Sequence, residues 1–225
     1  MNLLDHFAPP LSRSRHWHSF HNAWATFIAS ELNRVLPPGY FAEPNVQFGV
    51  EIDVATFQES GNGGPAWRPP PASLTLPVTL CTDVAEVRVY SEEGGPVLAA
   101  AVELVSPSNK DRPEARQALV SKCASYLQEG LGLALVDVVT ARAGNLHNLL
   151  LERLDTPGGR LPEDLYACAY RVLERDRQAC LDVWTEPLSL GAPLPTLPLW
   201  MRGNLCVPLD LQAAYGRTCE EQRIS

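Results

Sequence analysis

Three consecutive segments in the middle of the chain constrain its fold more than any other part of the sequence. Residues 97–105 form a nearly continuous apolar run, which is typical of a central strand covered on both faces. Residues 112–129 have helical apolar spacing, with Pro113 in the first turn and Gly130 just past the end. Residues 131–140 form a second buried strand. Because a parallel pair needs a crossover of this length, the order predicts two parallel strands joined by a right-handed helical connection.

The other elements follow from periodicity and from turn residues. They are a helix over 17–35 stopped by two prolines, one or two strands over 40–57, a long loop over 59–79, a strand over 86–90, a hairpin formed by 166–172 and 180–184, a proline-rich surface segment over 187–198, and a helix over 210–223. For the hairpin stretch, a helix is the alternative. The sequence therefore predicts an α/β fold with a mixed sheet flanked by helices. We expect a single domain over 1–225, with a core at about 17–155 and a C-terminal hairpin and extension at about 160–225.

Charge and apolar patterning exclude some classes of function. The net charge is −8, so the chain carries no general basic field that would hold nucleic acid without specificity. No uncharged apolar run approaches the length of a membrane span, and the N-terminus does not have the unbroken apolar stretch of a secretory signal. The six cysteines form no CxxC pair. We expect a cytoplasmic protein with reduced thiols and no membrane partner.

The most informative residue is Glu103, because it falls inside a strand that the pattern predicts to be buried. A buried carboxylate is costly unless it is paired or binds a metal. The residues that follow, 106–110, end the strand at the edge where α/β sheets place their sites. A structural alternative is a salt bridge from Glu103 to Lys110 or Arg112.

A second acidic strand over 49–54 places Glu51 and Asp53 on one face by the period of two. Carboxylates from two strands form the oxygen-rich environment that Mg²⁺ prefers, with Mn²⁺ as an alternative. A lysine beside such a site can position an attacking water. This combination is typical of metal-assisted phosphodiester hydrolysis.

Three histidines near the start of the first helix, His16, His18 and His21, form a second cluster. His18 and His21 lie one turn apart and could supply metal ligands. Because aromatic residues flank them, a helix-anchoring role is the favoured interpretation.

The motifs resemble a known fold. The order of helix, acidic strand, buried strand with Glu, helix with Lys, and apolar strand ending in Asp is similar to the PD-(D/E)XK restriction-endonuclease-like fold. Within it, the chain resembles a group of putative restriction endonucleases and, more closely, the DUF4058 family of uncharacterised bacterial proteins. The matching stretches are Glu103-Leu-Val-Ser-Pro-Ser-Asn-Lys110, Asp111-Arg-Pro, Lys122-Cys-Ala-Ser-Tyr126, 17–21, 36–40, 136–140 with Asn145-Leu-His147, and 194–199.

The resemblance implies roles for three residues. Asp53 and Glu103 correspond to the two acids and would be the metal ligands of a Mg²⁺-dependent nuclease. The nuclease pattern places Lys two residues after the second acid, but this chain has Val105 there. Lys122, on the following helix, stands where related groups place a migrated catalytic lysine, and Lys110 is its competitor. Nucleic acid is the implied partner, and a homodimer is left open.

Further residues are accessory candidates, and each has a structural alternative. Asp53 is preceded by Ile52 and not by the usual proline, so Glu51 could replace it as a ligand. Glu31 could be the additional helix acid of this fold, although a solvated role is favoured. Arg142, Asn145 and His147, in the segment after the second buried strand, could contact a phosphate, and Asn145 could instead simply cap a loop.

Two other classes of function are alternatives to a metal-dependent nuclease. A non-catalytic interaction or scaffold protein on the same fold is favoured by the missing lysine after Glu103, by the net charge and by the lack of a basic or base-stacking stripe. A hydrolase with Ser106 as nucleophile is disfavoured, because the chain has no G-x-S-x-G turn around it.

Overall fold

A computed structural model of the chain describes residues 1–48, 50–58, 67–78, 97–156, 158–202 and 204–224, and only the backbone of the described residues within 45–52. The described helices are α1 Leu11–Ser14, α2 Trp17–Val35, α3 Pro107–Asp111, α4 Pro113–Gln128, α5 Leu146–Arg153 and α6 Leu211–Glu221. The described strands are β1 Tyr40–Phe48, β2 Val50–Gln58, β3 Leu74–Pro77, β4 Val97–Leu104, β5 Gly132–Asp137, β6 Tyr166–Arg175, β7 Gln178–Pro187, β8 Thr196–Trp200 and β9 Cys206–Asp210.

Seven of these strands form one mixed sheet in the order β1-β2-β4-β5-β6-β7-β3. Among the described strands, β4 and β5 pair in parallel and the other neighbours in the sheet pair antiparallel. The helices α3 and α4 make the crossover between β4 and β5. Strands β8 and β9 form a separate antiparallel hairpin.

The sheet is flanked on both faces, because side chains alternate along its central strands. One apolar core contains Val54, Val102 and Ala134 and is covered by α2, α6 and the β8–β9 hairpin. The other contains Ala101 and Leu135 and is covered by α4 and α5. Strands β4 and β5 are therefore buried on both faces, as their continuous apolar sequences require.

Residues with fixed conformational preferences set the bounds of the central helices. Ser106 precedes α3, and its side chain and that of Asn109 form a reciprocal capping box. Pro113 begins α4, where its missing N–H needs no partner. Gly130 follows the end of α4 with φ of 74°, a left-handed conformation that favours glycine. These signals fix where α4 begins and ends in the sequence after β4.

The structure confirms the central expectations. The helix over 17–35 and the parallel pair joined by a helix are present, and the segment over 40–57 forms two strands. The expected hairpin is β6–β7, which pairs with β5 and so extends the main sheet. The C-terminal helix is α6, with Asp210 at its N-cap.

Other expectations were wrong or incomplete. The long loop over 59–79 contains strand β3 at its end, because Leu74–Pro77 finds backbone partners on β7. The proline-rich segment over 187–198 runs into strand β8, and helix α5 was not predicted at all. The strand expected over 86–90 lies outside the described residues.

Candidate functional site

Two carboxylates, those of Asp53 and Glu103, lie at the end of the sheet where the pairing of β2 with β4 stops. The last backbone pair of this ladder joins Val54 to Val102, and one further step of the same register sets Asp53 opposite Glu103. At this point the Asp53 carboxylate replaces a strand partner, since its Oδ2 accepts a hydrogen bond of 2.6 Å from the backbone N–H of Leu104. The strand ends thus hold the two acids on neighbouring positions.

Helix α4 supplies two polar contacts to Glu103. Lys122 Nζ lies 2.7 Å from Glu103 Oε2, and the Tyr126 hydroxyl donates to Glu103 Oε1 at 3.4 Å. Lys122 and Tyr126 are four residues apart, so they project from the same helix face over the end of β4. The three residues form a compact set, in which the side chain of Glu103 is 3% exposed and that of Lys122 is 19% exposed.

The electrostatic environment of Glu103 favours its protonated form. Burial raises the pKa of Glu103 to about 8, the ammonium of Lys122 opposes this rise, and the charge of Asp53 adds to it. Asp53 lies opposite Glu103 in the strand register, so the two carboxylates repel each other when both are ionised. A positive charge placed between these two carboxylates would relieve the repulsion and favour ionised Glu103.

His21 of α2 reaches the same edge of the sheet from the opposite side. Its Nε2 lies 3.0 Å from the backbone oxygen of Leu104 and 3.6 Å from Asp53 Oδ1. Trp17 packs edge-on against the imidazole, with 5.7 Å between the ring centroids. The packing of Trp17 against His21 fits the interpretation that the histidines anchor the helix. However, His21 also contacts Asp53 and Leu104, and the sequence did not indicate these contacts.

A second buried ion pair lies on the neighbouring strand. Lys110 Nζ is 2.7 Å from Asp137 Oδ2, and both side chains are fully buried. Burial raises the pKa of Asp137 to about 6, and Lys110 opposes the rise. The backbone N–H of Val139 also donates to Asp137. Lys110 thus ties α3 to the end of β5, and the lysine that contacts Glu103 is Lys122.

The chain contains only two lysines among its 18 basic side chains, and both take part in these ion pairs. Elsewhere the chain uses arginine. This unequal use of lysine and arginine is a signal in the sequence that marks both buried ion pairs.

The remaining predicted residues have structural roles or lie elsewhere. Ser106 bonds to Asn109 and Ser108 within the α3 cap. Glu31 pairs with Arg34 and Arg217, and it lies ten residues beyond His21 on α2, about 15 Å away along the helix.

Arg142 pairs with Asp111 through an exposed bridge of 2.6 Å. Asn145 is the N-cap of α5 and accepts from the N–H of Asn148, so the capping alternative holds for it. The side chain of Glu51 lies outside the described residues, which leaves its predicted role as a prediction.

The oxygen atoms at the site are of the kind that bind a hard divalent cation. Asp53 and Glu103 supply carboxylate oxygens and Leu104 a backbone oxygen, and Mg²⁺ prefers such ligands. Among the side chains that the structure describes, no group of three or more His, Cys, Asp or Glu is already arranged around a metal position. A cation here would therefore depend on the backbone oxygen or on water for part of its coordination.

Comparisons with known proteins leave the resemblance untested. No family model matches the chain, and no curated protein and no solved structure matches it at a significant level. The relationship to the DUF4058 family and to restriction-endonuclease-like proteins stays a prediction. In the described part of the chain, no helix has the length and apolarity to span a membrane.

Proposed function

We propose that this protein is a divalent-cation-dependent phosphodiesterase that acts on nucleic acid, with Asp53, Glu103 and Lys122 as its catalytic set. The observation that carries the proposal is the meeting of these three side chains, from β2, β4 and α4, at one edge of the sheet. They are 50 and 19 residues apart in the sequence. The fold must bring them together.

The order of elements supports a restriction-endonuclease-like fold. Helix α2 precedes the antiparallel strands β1, β2 and β4, and α4 then crosses to β5, which is parallel to β4. This is the order that the sequence resemblance implies for the fold. Glu103 lies near the end of β4 and Lys122 lies on the crossover helix, and both positions support the proposal.

Each residue has a role that its environment allows. Asp53, held by the Leu104 N–H, and Glu103 would bind the cation, which would polarise the phosphate and lower the pKa of a bound water. Lys122 donates toward Glu103 and is the more exposed of the pair, so its ammonium is placed to orient water and to stabilise negative charge on the phosphate oxygens.

The reaction is an ordinary hydrolysis and needs no further reactant. The oxygen of water forms a bond to phosphorus, and the bond from phosphorus to the leaving ester oxygen breaks. One proton of the water passes to the solvent or to a basic side chain, and the leaving oxygen takes up a proton. The products are a phosphate monoester and a free hydroxyl group.

A non-catalytic scaffold is the second candidate, and one observation favours it. The described contacts pair the polar groups with one another, Glu103 with Lys122 and Asp53 with the Leu104 N–H. A purely structural set would look similar. Such a set would bind no divalent cation and cleave no phosphodiester.

The test is cleavage of single-stranded and duplex DNA and RNA by the full chain, with Mg²⁺, with Mn²⁺ and with chelator. We expect cation-dependent cleavage that Lys122→Met and Glu103→Gln each reduce about 100-fold or more, which is the usual contribution of such groups. Arg153→Gln, which removes an exposed positive charge on α5, is the control and should cleave normally.

Two results would overturn the proposal. One is a folded wild-type protein that cleaves none of these substrates with either cation. The other is full activity in a folded Lys122→Met protein, because the ammonium would then have no part in the reaction. Circular dichroism of each variant establishes that it is folded.

A further inference from the structure

Two oxygen atoms from other parts of the chain lie close to the imidazole nitrogen of His21 on α2. They are Asp53 Oδ1 on β2 and the backbone oxygen of Leu104 at the end of β4. The imidazole nitrogen lies 3.0 Å from the Leu104 oxygen and 3.6 Å from the Asp53 oxygen. Ligands bonded to one ion at about 2.1 Å are separated by about 3.0 to 3.5 Å for right-angled to tetrahedral arrangements. The observed spacing is therefore close to that of neighbouring ligands.

The surroundings fix the direction of each donor. Asp53 uses Oδ2 to accept from the Leu104 N–H, which directs Oδ1 toward His21. Leu104 is aligned with Val136 in the parallel ladder, so its backbone is held at the strand end. Trp17 packs on the imidazole of His21. The donors are pre-positioned by three separate elements.

The geometry points to His21 as a nitrogen ligand of the cation at this site, which would then select a cation of the Mn²⁺ class over Mg²⁺. This inference rests on the proposed function, because it concerns the same centre. Imidazole suits first-row transition metals, whereas Mg²⁺ takes oxygen ligands almost alone. The side chains of His21 and Asp53 are 12% and 14% exposed, so neither is sealed completely from solvent.

A structural role for His21 makes a different prediction. In that case Nε2–H only donates to the Leu104 oxygen and ties α2 to β4. Removing the imidazole would then alter stability and leave cation affinity unchanged. The two roles are separated by measuring the metal directly, without reference to cleavage.

The experiment is Mn²⁺ binding to the full chain, followed by electron paramagnetic resonance, with pulsed detection of nitrogen bound to Mn²⁺ and competition by Mg²⁺. The variants are His21→Ala and His21→Gln. The control is His18→Ala on the same helix, because His18 is exposed and its described contact is with Asn22. Asp53→Asn tests the carboxylate ligand of the proposed function.

We expect a nitrogen signal in the wild type and in His18→Ala that both His21 variants lose. Mn²⁺ affinity should fall about 10-fold or more in the His21 variants, as for other metal-site changes, while Mg²⁺ affinity stays nearly unchanged. Full Mn²⁺ affinity in a His21 variant, with no nitrogen signal in the wild type, would overturn the ligand role.

A comparison of Asp53→Asn with His21→Ala tests the proposed function separately from the role of His21. If Asp53→Asn abolishes cation binding while His21→Ala does not, the oxygen-liganded centre stands and the inference about His21 fails. If the wild type binds neither Mn²⁺ nor Mg²⁺, both fail. The wild-type nitrogen signal decides the ligand role even if a His21 variant does not fold.

Discussion

At the scale of single residues, Glu103 links the candidate site to the stability of the fold. Burial raises the pKa of Glu103 to about 8 in the folded protein, from the value of 4.5 that is ordinary for an exposed glutamate. Between these values the folded state binds more protons than the unfolded state, so stability is greatest at low pH and falls as the pH rises through this window.

We predict that Glu103→Gln reduces this pH dependence, because glutamine resembles the protonated acid. The free energy of unfolding of the wild type should fall between pH 5 and pH 8.5, by a few kcal/mol at most, since one unit of pKa difference is worth about 1.4 kcal/mol. Urea unfolding without divalent cation at both pH values measures it. Parallel curves for the wild type and the variant would show that Glu103 does not titrate in this range.

The other buried lysine gives a contrasting prediction. Lys110 and Asp137 are fully buried, so Asp137→Asn would leave the Lys110 ammonium without its counter-ion. We expect a loss of about 3 to 5 kcal/mol in the free energy of unfolding, measured with urea at pH 7. Glu152→Gln is the control, because its pair with Arg160 is exposed and should contribute less than about 1 kcal/mol. Equal small effects in both variants would refute the structural role of the buried pair.

At the scale of the elements, the β8–β9 hairpin packs against the central sheet with almost no space at Gly132. A Cβ added there would lie 1.8 Å from the backbone oxygen of Trp200, which cannot yield as a side-chain end would. The hairpin is also joined to β4 by a hydrogen bond from the Arg202 N–H to the Ala99 oxygen. Glycine at position 132 lets the hairpin backbone approach β5.

We therefore predict that Gly132→Ala destabilises the protein by about 1 to 3 kcal/mol or more, as overpacking does. Gly216→Ala is the matched control, since Gly216 lies within α6 and its added Cβ would meet its nearest described atom at 3.7 Å. There the change should be neutral or stabilising by about 0.5 to 1 kcal/mol. Urea unfolding of both variants decides it, and an unaffected Gly132→Ala protein would contradict the close packing.

At the scale of the whole molecule, the sequence predicts the elements that carry strong periodicity. The apolar runs of β4 and β5 and the spacing of α2 follow directly from burial. The β8–β9 hairpin escaped prediction because Pro198 and Pro208 lie opposite each other in it, and proline argues against a strand. Strand β3 has four residues and is defined by its pairing with β7, which no local pattern reveals.

Some residues of the candidate site can likewise be predicted from the sequence, and the place of one cannot. Glu103 could be found from the sequence, because a charged residue in an apolar run is conspicuous, and Lys122 could be found from the helix that follows. His21 could be named from the sequence as a possible metal ligand, but its place beside Asp53 could not be predicted, since its contacts with Asp53 and Leu104 join positions 32 and 83 residues away. The rarity of lysine was visible in the sequence and marks both buried ion pairs.

The most direct test of the central claim, that Asp53 and Glu103 hold a divalent cation, is anomalous X-ray diffraction from crystals soaked in Mn²⁺. We predict an anomalous peak at about 2.0 to 2.2 Å from Asp53 Oδ1 and the Leu104 oxygen, with Glu103 bound to the ion directly or through water. An edge of the sheet without a peak at saturating Mn²⁺, with Lys122 still paired to Glu103, would contradict it.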